Sequence, residues 1–155
     1  MTDENRLFTI LMVDDDPDDR LLFKEACEEV RLRNPLEFLE NGEQLVDYLK
    51  RRGNYSDLSG QPYPGIILLD LNMPLKDGRE ALEEIKADSE LRHIPIIILT
   101  TSKDEDDILS SYGLGASSYI VKPISLDRLM RVVNSIGEYW VQIVEVPSAE
   151  EGDED

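Results

Sequence analysis

Five short apolar runs punctuate this chain, and each stops against a polar or charged residue: Phe8–Val13 before Asp14, Leu36–Leu39 before Glu40, Ile66–Leu69 before Asp70, Ile96–Leu99 before Thr100, and Tyr119–Val121 before Lys122. Most show no apolar-polar alternation, the signature of strands buried on both faces. Amphipathic stretches lie between and after them. Pro17 to Arg31 opens with proline at a first-turn position among aspartates, as a helix start prefers. Asn41 is placed to cap a second helix carrying Leu45, Val46 and Leu49 inward, and Asp77 and Gly78 introduce a third with Ala81, Leu82 and Ile85 at helical spacing. Ser102 to Asp104 introduce a fourth through Ile108 and Leu109, and Ser125 caps a fifth. Strand and helix alternating in this way predict an α/β chain, a doubly wound (βα)5 unit with a parallel five-stranded sheet and helices on both faces. Ligands of such sheets gather beyond the carboxyl ends of the strands.

The rest of the chain narrows the options by exclusion. At 155 residues one domain is expected, taken to run from 7 to 144, with a short polar tail at 1–6. Residues 145–155 hold Glu145, Glu150, Glu151, Asp153, Glu154 and Asp155 with no base, and read as a disordered acidic tail. A net charge of −18 repels phosphate backbones and anionic lipid, so neither nucleic acid nor a membrane surface is an expected partner. The single cysteine, Cys27, rules out an internal disulfide framework and reads as a helix core residue. No apolar run approaches the roughly 20 residues of a membrane span, and the acidic start is unlike a signal peptide, which makes the cytoplasm the default compartment. Residues 51–64, rich in Gly, Ser, Tyr and Pro, read as a long surface loop.

The predicted topology draws the residues just past each strand into one crevice: Asp14, Asp15 and Asp16 after the first, Asp70 after the third, Thr100 and Thr101 after the fourth, and Lys122 after the fifth. Crowded carboxylates repel one another unless a cation neutralises them, and a hard oxygen-rich site with few protein ligands suits Mg²⁺. A lysine and a hydroxyl opposite the metal complete a clamp for phosphoryl oxygens. Flanked by Mg²⁺ and Lys122, the carboxylate of Asp70 is placed to attack a phosphoryl group in line and carry it as an acyl phosphate.

With these residues in view, the chain resembles the response regulator receiver domains of two-component signalling over residues 7 to 136. Val13-Asp14-Asp15 matches the acidic pair, Leu69 to Gly78 (L-D-L-N-M-P-L-K-D-G) the phosphoacceptor block, Leu99-Thr100-Thr101 the hydroxyl position, and Tyr119 to Pro123 (Y-I-V-K-P) the closing block. The resemblance implies a flavodoxin-like fold, Asp70 as phosphoacceptor, and Mg²⁺ on Asp15, Asp70 and the backbone carbonyl of Asn72, with Asp14 assisting through water. It further implies Thr100 and Lys122 on the phosphoryl oxygens, Thr100 and Tyr119 as the switch pair, and a cis peptide between Lys122 and Pro123. The phosphoryl donor would be the phosphohistidine of a partner histidine kinase. Asn72 and Ser102 hold positions that tune acyl-phosphate lifetime in this family. The chain beyond the receiver, with T-T-S after the fourth strand and a Trp-bearing extended C-terminal helix, resembles the single-domain regulators paired with phytochrome-type histidine kinases.

Leu129, Val133, Ile136, Trp140 and Ile143 recur at spacings of four, three, four and three, a stripe expected to serve as a homodimer interface. The segment after Ile136 is too short for a DNA-binding or catalytic module, so output is expected through contact with a downstream protein. Two other readings of the acids are weaker. A calcium loop starting at Asp14 lacks its glycine, since position six is Asp19, and a phosphatase of the haloacid dehalogenase type would place its nucleophile after the first strand in D-x-D-x-T, where the threonine is missing. Asp16, Asp18 and Asp19 read as helix-start charges, with Asp16 as a candidate further metal contact. His93, the only histidine, reads as a surface residue.

Overall fold

The computed structural model of the chain describes residues 7–73, 78–100, 118–122 and 125–136. Among these, contacts group the described residues of 7–20 and 33–122 into one compact unit and those of 21–32 and 125–136 into a second. The first unit carries a five-stranded sheet, all parallel, built from β1 (Ile10–Val13), β2 (Leu36–Leu39), β3 (Ile66–Asp70), β4 (Ile96–Thr100) and β5 (Ser118–Val121) in the order β2-β1-β3-β4-β5. This is the flavodoxin-like order, with the chain reversing direction across the sheet between β1 and β3.

Each expected strand forms. β1 starts at Ile10, two residues later than the apolar run suggests, because its neighbours begin there: Ile10 registers with Leu36 on one side and Ile66 on the other. Phe8 and Thr9 are bound outside the ladder, the Phe8 carbonyl accepting from Asn34 Nδ2 and the Thr9 carbonyl from the Gly65 N–H. β1, β3 and β4 are buried at every position, as unalternating runs require, whereas edge strand β2 exposes Glu37 and only half-buries Leu36 and Phe38. A core of Leu11, Val13, Ile67, Leu69 and Ile98 packs with Leu45, Leu49, Leu82 and Ile85 of helices α2 (Gly42–Lys50) and α3 (Gly78–Ala87). The alternate positions Ile10, Met12, Leu68 and Leu99 are also buried, so neither face of the sheet's centre is open to water.

The helix signals act where they were expected. α1 (Pro17–Glu29) has Pro17 at its first position, and Asp16 Oδ1 accepts from the Asp18 N–H at 2.9 Å. Asn41 caps α2 by accepting from the Gln44 N–H at 2.8 Å, and Ser125 Oγ accepts from the Arg128 N–H at 3.1 Å, opening the helical stretch at 126–136. α1 stops before Arg31 because Arg31 turns left-handed at φ 58°, letting the Leu32 N–H reach back to the Cys27 carbonyl. Cys27 is buried with Phe23 and Ala26, and His93 is exposed. The 51–64 loop contains a 3-10 helix, Gly53–Leu58.

The C-terminal stripe requires a correction. Leu129, Val133 and Ile136 are at most 5% exposed in the single chain, so these three are core positions rather than a dimer surface. A period of three and four shows that one face is covered without showing by what. Trp140 and Ile143 lie outside the described residues, as do the fourth helix, the tails, and Pro123 with the peptide bond preceding it.

Gly78 opens α3 pressed against the end of β3. Its N–H donates to the Leu71 carbonyl at 3.0 Å, and a Cβ there would lie 2.6 Å from Leu71 Cα and closer still to the Asp70 carbonyl oxygen. Gly65 is as tight: an added Cβ would lie 2.7 Å from the Cβ of half-buried Phe8, which turning the ring does not move, and closer still to its Cγ and Cδ1. Gly78→Ala and Gly65→Ala should therefore each cost about 1–3 kcal/mol in chemical denaturation, since neither neighbour clears the added Cβ by side-chain rotation alone. A cost near zero for Gly78→Ala would show that the end of β3 is not so constrained.

Candidate functional site

The strand register assembles the site. Val13 pairs with Leu69, so Asp14 and Asp70 come next on adjacent strands at the switch point; Asp70 pairs with Leu99, putting Thr100 one step further on, and Thr100 pairs with Val121, which leads into Lys122. The Lys122 N–H donates to the Thr100 carbonyl at 2.7 Å, carrying the pairing one residue beyond β5. Asp14, Asp70 and Thr100 are the buried polar or charged residues among those described.

The Lys122 ammonium meets three carboxylates: Asp14 Oδ2 at 2.8 Å, Asp19 Oδ2 at 2.7 Å and Asp70 Oδ2 at 3.2 Å. The other oxygens of the strand-end pair are held by backbone, Asp14 Oδ1 by the Asp16 N–H at 2.9 Å and Asp70 Oδ1 by the Asn72 N–H at 3.0 Å. Arg20 Nη1 donates to the Asp14 carbonyl at 2.6 Å, fixing the turn from behind. Oxygens of Asp14, Asp15 and Asp70 all lie within 4.8 Å of one another, with Asp15 exposed and the other two buried.

Burial sets the electrostatics. It pushes the Asp14 carboxyl up to about 6, against the pull of Lys122 and the Asp16 N–H. It also raises Asp70, against the Asn72 N–H and Lys122. Burial opposes the charge on Lys122 as well, but the hydrogen bonds to Asp14 and Asp19 and the field of Asp70 outweigh it and hold the ammonium firmly protonated. One ammonium thus faces two buried acids still short of full neutralisation, with an exposed third acid, Asp15, at the opening. Three clustered carboxylate oxygens, two buried and one open to water, are a donor set that fits a hard divalent cation.

The structure thus brings Asp14, Asp15, Asp70 and Lys122 together, with buried Thr100 ending the strand between β3 and β5. Asn72 is exposed and adjoins Asp70 through its N–H, and the Tyr119 side chain is 36% exposed. Asp16 spends a side-chain oxygen on α1's first turn. The residue that the sequence reading missed is Asp19. The available signal was its position in the first helical turn directly after a strand-end acid, where a helix side chain can reach back over the crevice.

The family model for the response regulator receiver domain matches residues 10–134. The chain belongs to the response regulator receiver family. This receiver is 39% identical to response regulator Rcp1 of Synechocystis sp. over 150 residues, covering 96% of this chain and 100% of that protein. It is 37% identical to the probable methanogenesis regulatory protein FilR2 of Methanothrix harundinacea, covering 86% of this chain and 84% of that one. Among solved structures, the phosphorylated cyanobacterial phytochrome response regulator RcpA superposes on this receiver with a TM-score of 0.76 at 38% identity, covering 87% and 94% of the two chains. The Mn²⁺-bound form of Rcp1 gives 0.74 at 38%, covering 86% and 94%.

A divalent cation bound here must compete with protons. Asp14 holds its proton to about pH 6, higher than in the unfolded chain, so its ionisation works against folding as pH rises from about 4 to 6, and a cation relieves that cost only once the proton has gone. The rise in Tm on adding millimolar Mg²⁺ should be small at pH 5, grow through pH 6 and level off above pH 7, and it should be largely lost in Asp15→Asn. Calorimetry across that range checks this; a pH-independent shift would place the cation elsewhere.

Proposed function

We propose that this receiver is a stand-alone phosphorylation switch in which Asp70 accepts a phosphoryl group from the phosphohistidine of a partner histidine kinase. The observation that carries the reading is the Asp70 carboxylate at the end of β3, one oxygen on the Lys122 ammonium and the group itself within the Asp14-Asp15-Asp70 cluster. A carboxylate oxygen of Asp70 attacks phosphorus in line, the new P–O bond forms as the P–N bond to the histidine breaks, and the departing imidazole is left neutral or takes up a proton from water. Asp15, Asp70 and the Asn72 carbonyl would hold Mg²⁺, with Asp14 assisting through water. The cation would supply charge neutralisation on the phosphoryl oxygens. Lys122 and the Thr100 hydroxyl take the oxygens that the cation leaves.

Output comes from a shift between two states in which Thr100 moves toward the phosphoryl group and Tyr119 turns inward from its part-exposed position. The net charge of −18 favours a protein over DNA as the target. Similarity to RcpA and Rcp1 supports a phytochrome-type kinase as donor, with light sensing belonging to that kinase. Phosphorylation-dependent dimerisation is one form this output takes. With Leu129, Val133 and Ile136 buried, it needs a surface that does not rely on them.

Intact-mass measurement after incubation with acetyl phosphate and Mg²⁺ should show one phosphate, labile to base and to hydroxylamine, on the wild type and none on Asp70→Asn. Lys122→Ala should slow its formation at least roughly tenfold, by loss of a charge-assisted contact. Size exclusion on the same samples reads out dimerisation. No adduct on a folded wild type would overturn the reading, and steady phosphate release from simple esters would point to a phosphatase instead.

A further inference from the structure

The three carboxylates on Lys122 are not equivalent. Asp14 and Asp70 belong to the cluster that fits a divalent cation, while Asp19, from the first turn of α1, stands outside it and makes the shortest of the three contacts at 2.7 Å. A cation shared by Asp14 and Asp70 draws on the same negative charge that holds Lys122 and repels the ammonium itself. Only the Asp19 contact is left undivided. An ammonium has three donors, and here three carboxylates occupy them, so a phosphoryl oxygen gains one only when a contact is given up. The contact to Asp70 is the longest, and the Asp70 oxygen loses its negative charge on becoming part of an acyl phosphate.

We propose that Asp19 is a positioning residue that tethers the Lys122 ammonium over the site, so that the donor released by Asp70 is already aimed at the phosphoryl group when the cation is bound. The proposal deepens the phosphoacceptor reading and rests on it for its kinetic consequence. Asp19 touches no reacting atom. Its effect runs wholly through Lys122, and this gives the test.

The experiment is a double-mutant cycle on the full chain, with Asp19→Ala and the milder Asp19→Asn each combined with Lys122→Met. Asp18→Ala is the control that removes the same charge one residue away. The readouts are the phosphorylation rate at saturating acetyl phosphate and the ¹⁵N-detected Lys122 side-chain ammonium signal with and without Mg²⁺ alone. Asp19→Ala should slow phosphorylation roughly fivefold to tenfold, with Asp19→Asn between it and wild type, since a part-exposed charge-assisted contact is lost. In the Lys122→Met background the same change should fall below about twofold, as should Asp18→Ala in the wild type. The ammonium signal should shift or broaden in Asp19→Ala, and more so when Mg²⁺ is added.

Equal slowing in the Lys122→Met background, an Asp18→Ala effect of the same size, or an unchanged ammonium signal would overturn the tether. A wild type that takes no phosphoryl group while its Lys122 signal still depends on Asp19 would overturn the phosphoacceptor reading and leave the tether standing. Thermal melts of each variant, with Asp19→Asn as the variant that keeps the side-chain volume, separate misfolding from loss of position.

Discussion

The Lys122 ammonium, set among carboxylates from the ends of β1 and β3 and the start of α1, is the interaction on which the architecture of the site depends. In the sheet β5 is hydrogen-bonded to β4 alone, two strands from β3. Two strand spacings amount to about 10 Å, more than a lysine side chain reaches alone, so the extended lysine, the Asp70 side chain and the 3.2 Å contact span the distance together. The contact therefore requires the side chain to extend across the end of β4, where the residue is a threonine, buried and small. A bulkier residue at that place would stand in its path. The spacing of the sheet, the size of residue 100 and the length of residue 122 form one constraint, and the strand-end acids are tolerable inside the fold only because that constraint is met.

The arrangement is costly as a piece of folding. Burying Asp14 and Asp70 side by side pushes both carboxyls up, and a single ammonium does not balance two acids along with Asp19. Apolar residues at the same places would relieve the charge and leave the strands intact. Local rules are broken at the one end of the sheet where chemistry is expected and kept almost everywhere else: no buried side-chain nitrogen or oxygen among the described residues lacks a hydrogen-bond partner. An imbalance toward negative charge also suits the crevice to a divalent cation and, in the proposed switch, through it to a phosphoryl group. The instability and the proposed activity thus share a cause.

How far the sequence reveals this depends on whether local pattern or tertiary contact decides each feature. β1, β3 and β4 are legible because burial on both faces leaves unbroken apolar runs, and Asp14, Asp70, Thr100 and Lys122 because the topology forces the residues at the ends of those strands into one crevice. Asn41 and Ser125 are legible because a cap acts within three residues. Asp19 is not, since an acid that favours a helix start and an acid that grips a lysine over 100 positions away look the same in one dimension. The Leu129, Val133 and Ile136 stripe fails for the matching reason: periodicity marks a covered face and is silent about its cover. The stretch read as the first helix runs to Arg31, two residues past the end of α1, because an arginine, where glycine is the usual residue, takes the left-handed turn.

The loop at 51–64 shows the same limit and bears on how the molecule is divided. Its composition reads as a plain surface insertion, but Arg51 organises it: left-handed itself at φ 58°, it donates to the carbonyls of Tyr48, Gln61 and Pro62 and lies over the rings of Tyr48 and Tyr63 at 5.5 and 5.1 Å. Tyr63 in turn donates to Glu90, and Tyr55 meets Tyr48 edge-on at 5.4 Å. All of this leads into the first residue of β3, whereas Asp70 is the last. Four steps of about 3.3 Å put roughly 13 Å between those ends, further than either Arg51's contacts or a bound phosphoryl group can bridge directly. The arginine-tyrosine clamp therefore anchors the entry to the central strand, and the acid-lysine cluster governs its exit. A change at one reaches the other only by displacing β3 itself, which is buried at all five positions and paired on both sides.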